Sequence, residues 1–211
     1  MADIDAGRLQ APAPTQAPTH APAPGIADPG PLGLAAFALT TFVLSCVNAG
    51  ILEVGTKSVV LGLALFYGGL AQFAAGMWEF RKDNTFGALA FTSYGAFWLA
   101  FAGILFFYKP TGATADQATH AVGVFLLGWT IFTAYMTIAS LRVSGAVAAV
   151  FVFLTVTFVC LAIGDLAVNA DMTKVGGYLG LATAVLAWYT SFATVTNSTW
   201  KRTVMPTWPV R

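Results

Sequence analysis

Charge is what this sequence has least of. Of 211 residues, 10 are Lys or Arg and 9 are Asp or Glu, 9% in all, against roughly 25% in soluble domains. So small a supply cannot clothe a water-facing surface. With 57% hydrophobic residues and a mean hydropathy of +0.74, the outer solvent is expected to be lipid. The net charge of +1 gives no basic patch, so no nucleic-acid partner is expected. Cysteine is nearly absent too. Cys46 and Cys160 lie inside apolar runs and read as small buried hydrophobes, which leaves the redox compartment open. The two histidines, His20 and His120, are far apart and outside metal-ligand spacing, so no metal site is expected. No Gly-rich phosphate loop and no Ser/His/Asp constellation is present. No predicted membrane helix carries a lysine, which excludes a retinal Schiff base. The chain is therefore not expected to be an enzyme, and no cofactor is expected.

What is present is long apolar runs. Residues 1–31 stand apart from them: Ala-Pro repeats run from Ala11 to Pro24. Proline has no amide hydrogen and fixes φ, so a mobile, partly polyproline-II tail is expected rather than a helix. It lacks the apolar core of a signal peptide. Six apolar segments then follow in a membrane domain over 32–197, at about 32–52, 58–80, 86–107, 119–140, 146–168 and 175–197. Each can cross about 30 Å of hydrocarbon at 1.5 Å per residue. A C-terminal tail, 198–211, completes the expected organisation. The connections are short, so neighbouring helices run antiparallel and no soluble domain fits between them. Basic residues set the expected orientation: seven (Arg8, Arg81, Lys82, Arg142, Lys201, Arg202, Arg211) fall on one side and three (Lys57, Lys109, Lys174) on the other. Both termini are then expected to be cytoplasmic.

Polar groups inside such helices are informative because hydrocarbon does not solvate them. Phe37, Thr41, Ser45 and Asn48 follow helical spacing, an aromatic base with a polar stripe above it. The plain alternative is hydroxyls bonded to their own helix, with Asn48 joining two helices. Asp165 is the most unusual residue. It reads as a proton-titrating group on a pathway, a residue tuning its mouth, or a carboxylate at headgroup level. Leu154, Phe158, Leu161 and Asp165 share one stripe. The eleven-residue separation of Leu154 from Asp165 matches that of Phe37 from Asn48, about 16 Å along a helix. Gln72 is either interhelical glue or a pathway donor. The small residues around Gly68, Gly69, Ala75 and Gly76, and again Gly176, Gly177 and Gly180, read as close-packing faces. Glu79, Arg81 and Lys82 read as surface ion pairing. Tyr94 offers its hydroxyl either to a solute or to a carbonyl.

Asp28-Pro29-Gly30-Pro31-Leu32-Gly33-Leu34 resembles the Asn-Pro-Ala-Pro-Leu-Gly-Leu signature of the acetate uptake transporter family. Phe66-Tyr67-Gly68-Gly69, Ala75-Gly76-Met77-Trp78-Glu79, Asn84-Thr85-Phe86-Gly87, Phe91-Thr92-Ser93-Tyr94-Gly95 and Leu161-Ala162-Ile163-Gly164 are similar to it too. The resemblance covers roughly 28–205. It implies an all-α integral membrane protein with six transmembrane helices around a central pore, assembled as a homohexamer in a plasma or bacterial inner membrane. It also implies transport of acetate and short carboxylates, including succinate, with proton coupling and channel-like conduction both open. By motif position the family's constriction falls on Phe37, Tyr94 and Leu154, and a residue affecting substrate choice falls on Ala187. Thr92 is placed with Thr41, Ser45, Asn48, Gln72 and Asp165 along the pathway. Asp28 and Gly30 depart from the signature, and Asp165 stands where the bacterial relative has Asn. No fixed positive charge is expected inside the pore. Two other readings are an ammonium or ammonia export pathway and a membrane sensor without flux, the latter lacking any visible output domain.

Overall fold

A computed structural model describes residues 25–210. Over these residues it is helical, with six helices long and apolar enough to cross a membrane. They are α1 (Gly30–Asn48), α2 (Val54–Arg81), α3 (Thr85–Phe107), α4 (Ala115–Ser140), α5 (Gly145–Leu166) and α6 (Ala170–Trp200). Residues 1–24, which include all of the Ala-Pro repeats, and Arg211 lie outside the described residues.

Helix starts follow local chemistry. Thr114 and Gln117 form a reciprocal capping box at α4, while the side chains of Asn84, Ser144 and Asn169 accept from amides in the first turns of α3, α5 and α6. These caps lie earlier than hydropathy placed the starts of α4 and α6, because capping residues are polar and escape an apolar window. At α1 the Asp28 carboxylate accepts from Gly30 N at 3.1 Å, and the helix begins two residues ahead of Leu32.

Helix α2 departs most from a regular span. It opens with a 3-10 stretch, Val54–Val59, and carries a π segment over Phe66–Ala71. The π turn contains Gly68 and Gly69, whose missing side chains let Thr40 of α1 and Leu99 of α3 come close.

Around the bundle, α1 packs on α6, α6 on α5 and α5 on α4, while α2 packs on α3 and α1. Backbones approach where glycines lie. A methyl at Gly95 would stand 2.6 Å from Phe73 N, and one at Gly177 would collide with the backbone of Asn48 and Ala49. Between α3 and α4 the backbones stand further apart, and aromatic rings fill the gap: Phe97 against Phe125 and Trp129, Tyr94 against Trp129 and Phe132.

Residues 201–210 turn back onto the bundle. Asn197 ties down Val204 and Met205, and the Tyr189 hydroxyl donates to Pro206 O at 2.7 Å. Gly145 N and Ala146 N, free amides at the start of α5, donate to Trp208 O and Thr207 O. The returning segment satisfies that helix end, which composition alone does not reveal.

Candidate functional site: three chambers along one axis

Three chambers succeed one another inside the bundle, and their linings advance in step along α1, α3 and α5. The first includes Gly30 and Leu34, Phe86 and Ala90, Val147 and Phe151. The second includes Leu34 and Phe37, Ala90 and Tyr94, Val150 and Leu154. The third includes Phe37, Thr41, Ser45 and Asn48, then Phe97, Trp98 and Phe101, then Leu154, Phe158, Leu161 and Asp165. Helices of one direction with a shared inward stripe produce this order. The middle chamber, of about 20 Å³, is narrow against about 240 Å³ and 70 Å³ on either side. It has room for about one water.

Phe37 and Leu154 line both the second and third chambers, so they form the partition between them. Tyr94 completes the narrow region, with its ring centroid 5.8 Å from that of Phe37. Thr133 Oγ1 donates its single hydrogen to Trp129 O at 2.7 Å. The Tyr94 hydroxyl, 2.9 Å from Thr133 Oγ1, must then be the donor of that pair. Tyr94 therefore points its hydroxyl toward α4 and leaves its ring beside the passage. Neither a solute nor a carbonyl receives it.

The polar stripe on α1 faces the third chamber. Thr41 Oγ1 is buried without a hydrogen-bond partner, and so is Gln72 Oε1 in the middle chamber. Buried polar atoms are ordinarily paired, so these two groups, a hydroxyl able to donate and an amide oxygen able only to accept, keep unused hydrogen-bonding capacity near the partition. Thr92 is also unpaired, but it packs against Gly76 at the α2–α3 contact and lines none of the three chambers. Ala187 is fully buried in the core and lines none of them either.

The signature residues divide by task. Asp28, Gly30 and Leu34 line the first chamber. Pro29 precedes the first helical residue, Pro31 O accepts from Ser191 Oγ at 2.7 Å, Gly33 admits the Phe91 ring, and Leu32 faces outward, 44% exposed.

Three residues do work that sequence reasoning missed. Glu79 is 1% exposed rather than a surface partner; its carboxylate accepts from Asn84 Nδ2 at 2.8 Å, while Lys82 pairs with Asp28 at 2.9 Å. Lys57 lines the third chamber, so a basic side chain does stand inside the bundle. The apolar window began one residue later; the 3-10 start of α2 carries Lys57 inward. Trp98 Nε1, buried and unpaired, lines the same chamber. Its hydrophobic surroundings on α3 gave no signal.

Six apolar helices enclosing a chain of chambers, polar on either side of an apolar waist, define a multi-pass membrane protein with an internal passage. The profile of the GPR1/FUN34/yaaH family matches residues 10–211. The chain belongs to that family. It is 44% identical over 186 residues to a protein named acetate permease A of Emericella nidulans, covering 82% of this chain and 62% of that one. It is 42% identical over 185 residues to ammonia transport outward protein 2 of Saccharomyces cerevisiae, covering 83% and 64%. It therefore spans less than two thirds of the length of these fungal relatives. With the succinate-acetate/proton symporter SatP of Escherichia coli K12 it shares 40% identity over 181 residues, covering 86% of this chain and 95% of that one. Among solved structures it superposes on the bacterial acetate channel SatP with a TM-score of 0.80 at 40% identity, covering 87% and 99%. These relatives are named as transporters and channels, not as enzymes.

Proposed function

We propose that this protein carries acetate and related short carboxylates across a membrane through its three chambers. The observation that carries the reading is the partition itself: Phe37 and Leu154 separate a narrow apolar chamber from one lined by the polar stripe of Thr41, Ser45 and Asn48. A carboxylate moving along this line meets hydroxyl and amide donors beyond an apolar waist, which hinders hydrated ions. Thr41, Ser45, Asn48 and Gln72 are the pathway donors in this account, with Phe37, Tyr94 and Leu154 as the constriction. The names of the relatives supply the substrate class. Succinate enters only through the name of the bacterial symporter. The family resemblance is the support for a homohexamer. The seven-to-three distribution of basic residues supports cytoplasmic termini in a plasma or inner membrane, which puts the third chamber on the outer side.

Proton coupling is assigned to Asp165. Its neutral form would stop repelling an anion in the chamber it lines with Lys57. The test is radiolabelled acetate uptake into proteoliposomes with and without an imposed proton gradient, for wild type and Asp165→Asn. Wild-type uptake that grows with the gradient, and a flatter response in the variant, is expected. An unchanged profile removes Asp165 from coupling, and absence of acetate flux removes the reading. Competing ammonium in the same assay decides against the export reading if acetate flux is indifferent to it.

A further inference from the structure

The outer chamber holds two opposite charges that do not neutralise each other by contact. Among its lining residues Lys57 is the one base and Asp165 the one acid, contributed by α2 and α5. The other elements bring only uncharged groups: Asn48 and Thr41 from α1, Trp98 and Phe101 from α3, Val122 and Leu126 from α4, Thr173 from α6. Among the described residues, ion pairs within 4.0 Å are Lys82–Asp28 and Lys174–Asp171, so Lys57 and Asp165 stand further apart than that. The Lys57 ammonium lies over the Phe101 ring, 5.6 Å from its centroid. A ring face steadies a cation without using up its hydrogens. Two further donors line the same chamber unpaired, Trp98 Nε1–H and the Thr41 hydroxyl, both with buried atoms.

We propose that Lys57 and Asp165 make the outer chamber a valence filter, in which the ammonium draws in one carboxylate and the aspartate turns away a second. This rests on the transport reading above and adds which acids it favours. A monocarboxylate presents one anionic end to Lys57 and an apolar end to Phe101, Leu126 and Phe158. A dicarboxylate in so confined a space brings its second anion toward Asp165. Like charges at that range repel strongly where apolar walls hold the local dielectric constant down. Both charges are needed. The lysine alone would hold anions of any valence, and the aspartate alone would reject them all.

The experiment is acetate flux in proteoliposomes, with succinate as competitor, at fixed neutral pH. Lys57→Met is expected to raise the half-saturating acetate concentration about tenfold, and Lys57→Arg to bring it back toward wild type. Asp165→Asn is expected to make succinate a competitor about tenfold better than it is against wild type. A Lys57→Met half-saturation equal to wild type, or an unaltered succinate competition in Asp165→Asn, overturns the filter. Wild type alone supplies a check that no misfolded variant can spoil: its half-saturation should rise as salt is added, because screening weakens the attraction. A half-saturation indifferent to salt counts against it. If wild type carries no acetate, the transport reading fails and takes the filter with it. Acetate flux with unresponsive variants overturns the filter alone.

Discussion

The two ends of the passage use charge in opposite ways. At the first chamber the charged groups are committed to structure: Lys82 to Asp28 at 2.9 Å, Asp28 to Gly30 N at 3.1 Å, Glu79 to Asn84 at 2.8 Å. They tie the starts of α1 and α3 to the end of α2. At the third chamber Lys57 and Asp165 are out of contact, and the helices there are joined by close packing, with Gly177 against the Asn48–Ala49 backbone and Gly180 against the Ser45 side chain. A charge already paired has little left to offer a passing anion. An end held together by close packing can leave its charges available.

Substitutions can break that contrast, the largest effect coming from the uncharged joint. Gly177→Val places a branched side chain against a backbone that cannot yield, and should cost about 1–3 kcal/mol or more, read as a lowered unfolding temperature in detergent. Glu79→Ala leaves the Asn84 amide without its acceptor and should cost about 1–3 kcal/mol, in the same assay. Its effect should appear in stability ahead of the half-saturating concentration, since the first chamber holds its charges for structure. Tyr94→Phe removes a hydroxyl that donates to Thr133 and should cost about 1 kcal/mol. Acetate flux should stay near wild type, because the ring and not the hydroxyl faces the passage. Lys82→Ala, breaking a partly exposed pair, should cost under about 1 kcal/mol, the smallest of the four. A Lys82→Ala variant less stable than Gly177→Val would reverse the contrast.

Much of this was legible in the sequence. Hydropathy marks six spans because about 20 apolar residues are needed to cross lipid. The stripe from Phe37 to Asn48 and the one from Leu154 to Asp165 could be read because helices α1 and α5 are regular, so a period of 3.6 carries each face inward. Lys57 was not legible, since a 3-10 stretch extends α2 past the apolar window and turns the lysine into the chamber. Thr92 looked like a pathway residue by its motif, yet Gly76 gives it a packing contact on the α2–α3 face instead. Glu79 followed a charge pattern typical of a helix end, but burial against Gly87 and Asn84 is a tertiary fact. The return of residues 201–210 onto α5 is tertiary as well: backbone groups make the contact, and they carry no sequence signature.

The partition of Phe37 and Leu154 is the central claim, and lactate uptake tests it most directly. Leu154→Ala removes the larger part of one side of that partition. Reconstituted wild type should pass acetate and admit little lactate, whereas Leu154→Ala should admit lactate about tenfold faster, equivalent to roughly 1.4 kcal/mol off the barrier. Equal exclusion of lactate by both proteins, with acetate flux intact, would contradict the account, because the passage would then be gated elsewhere.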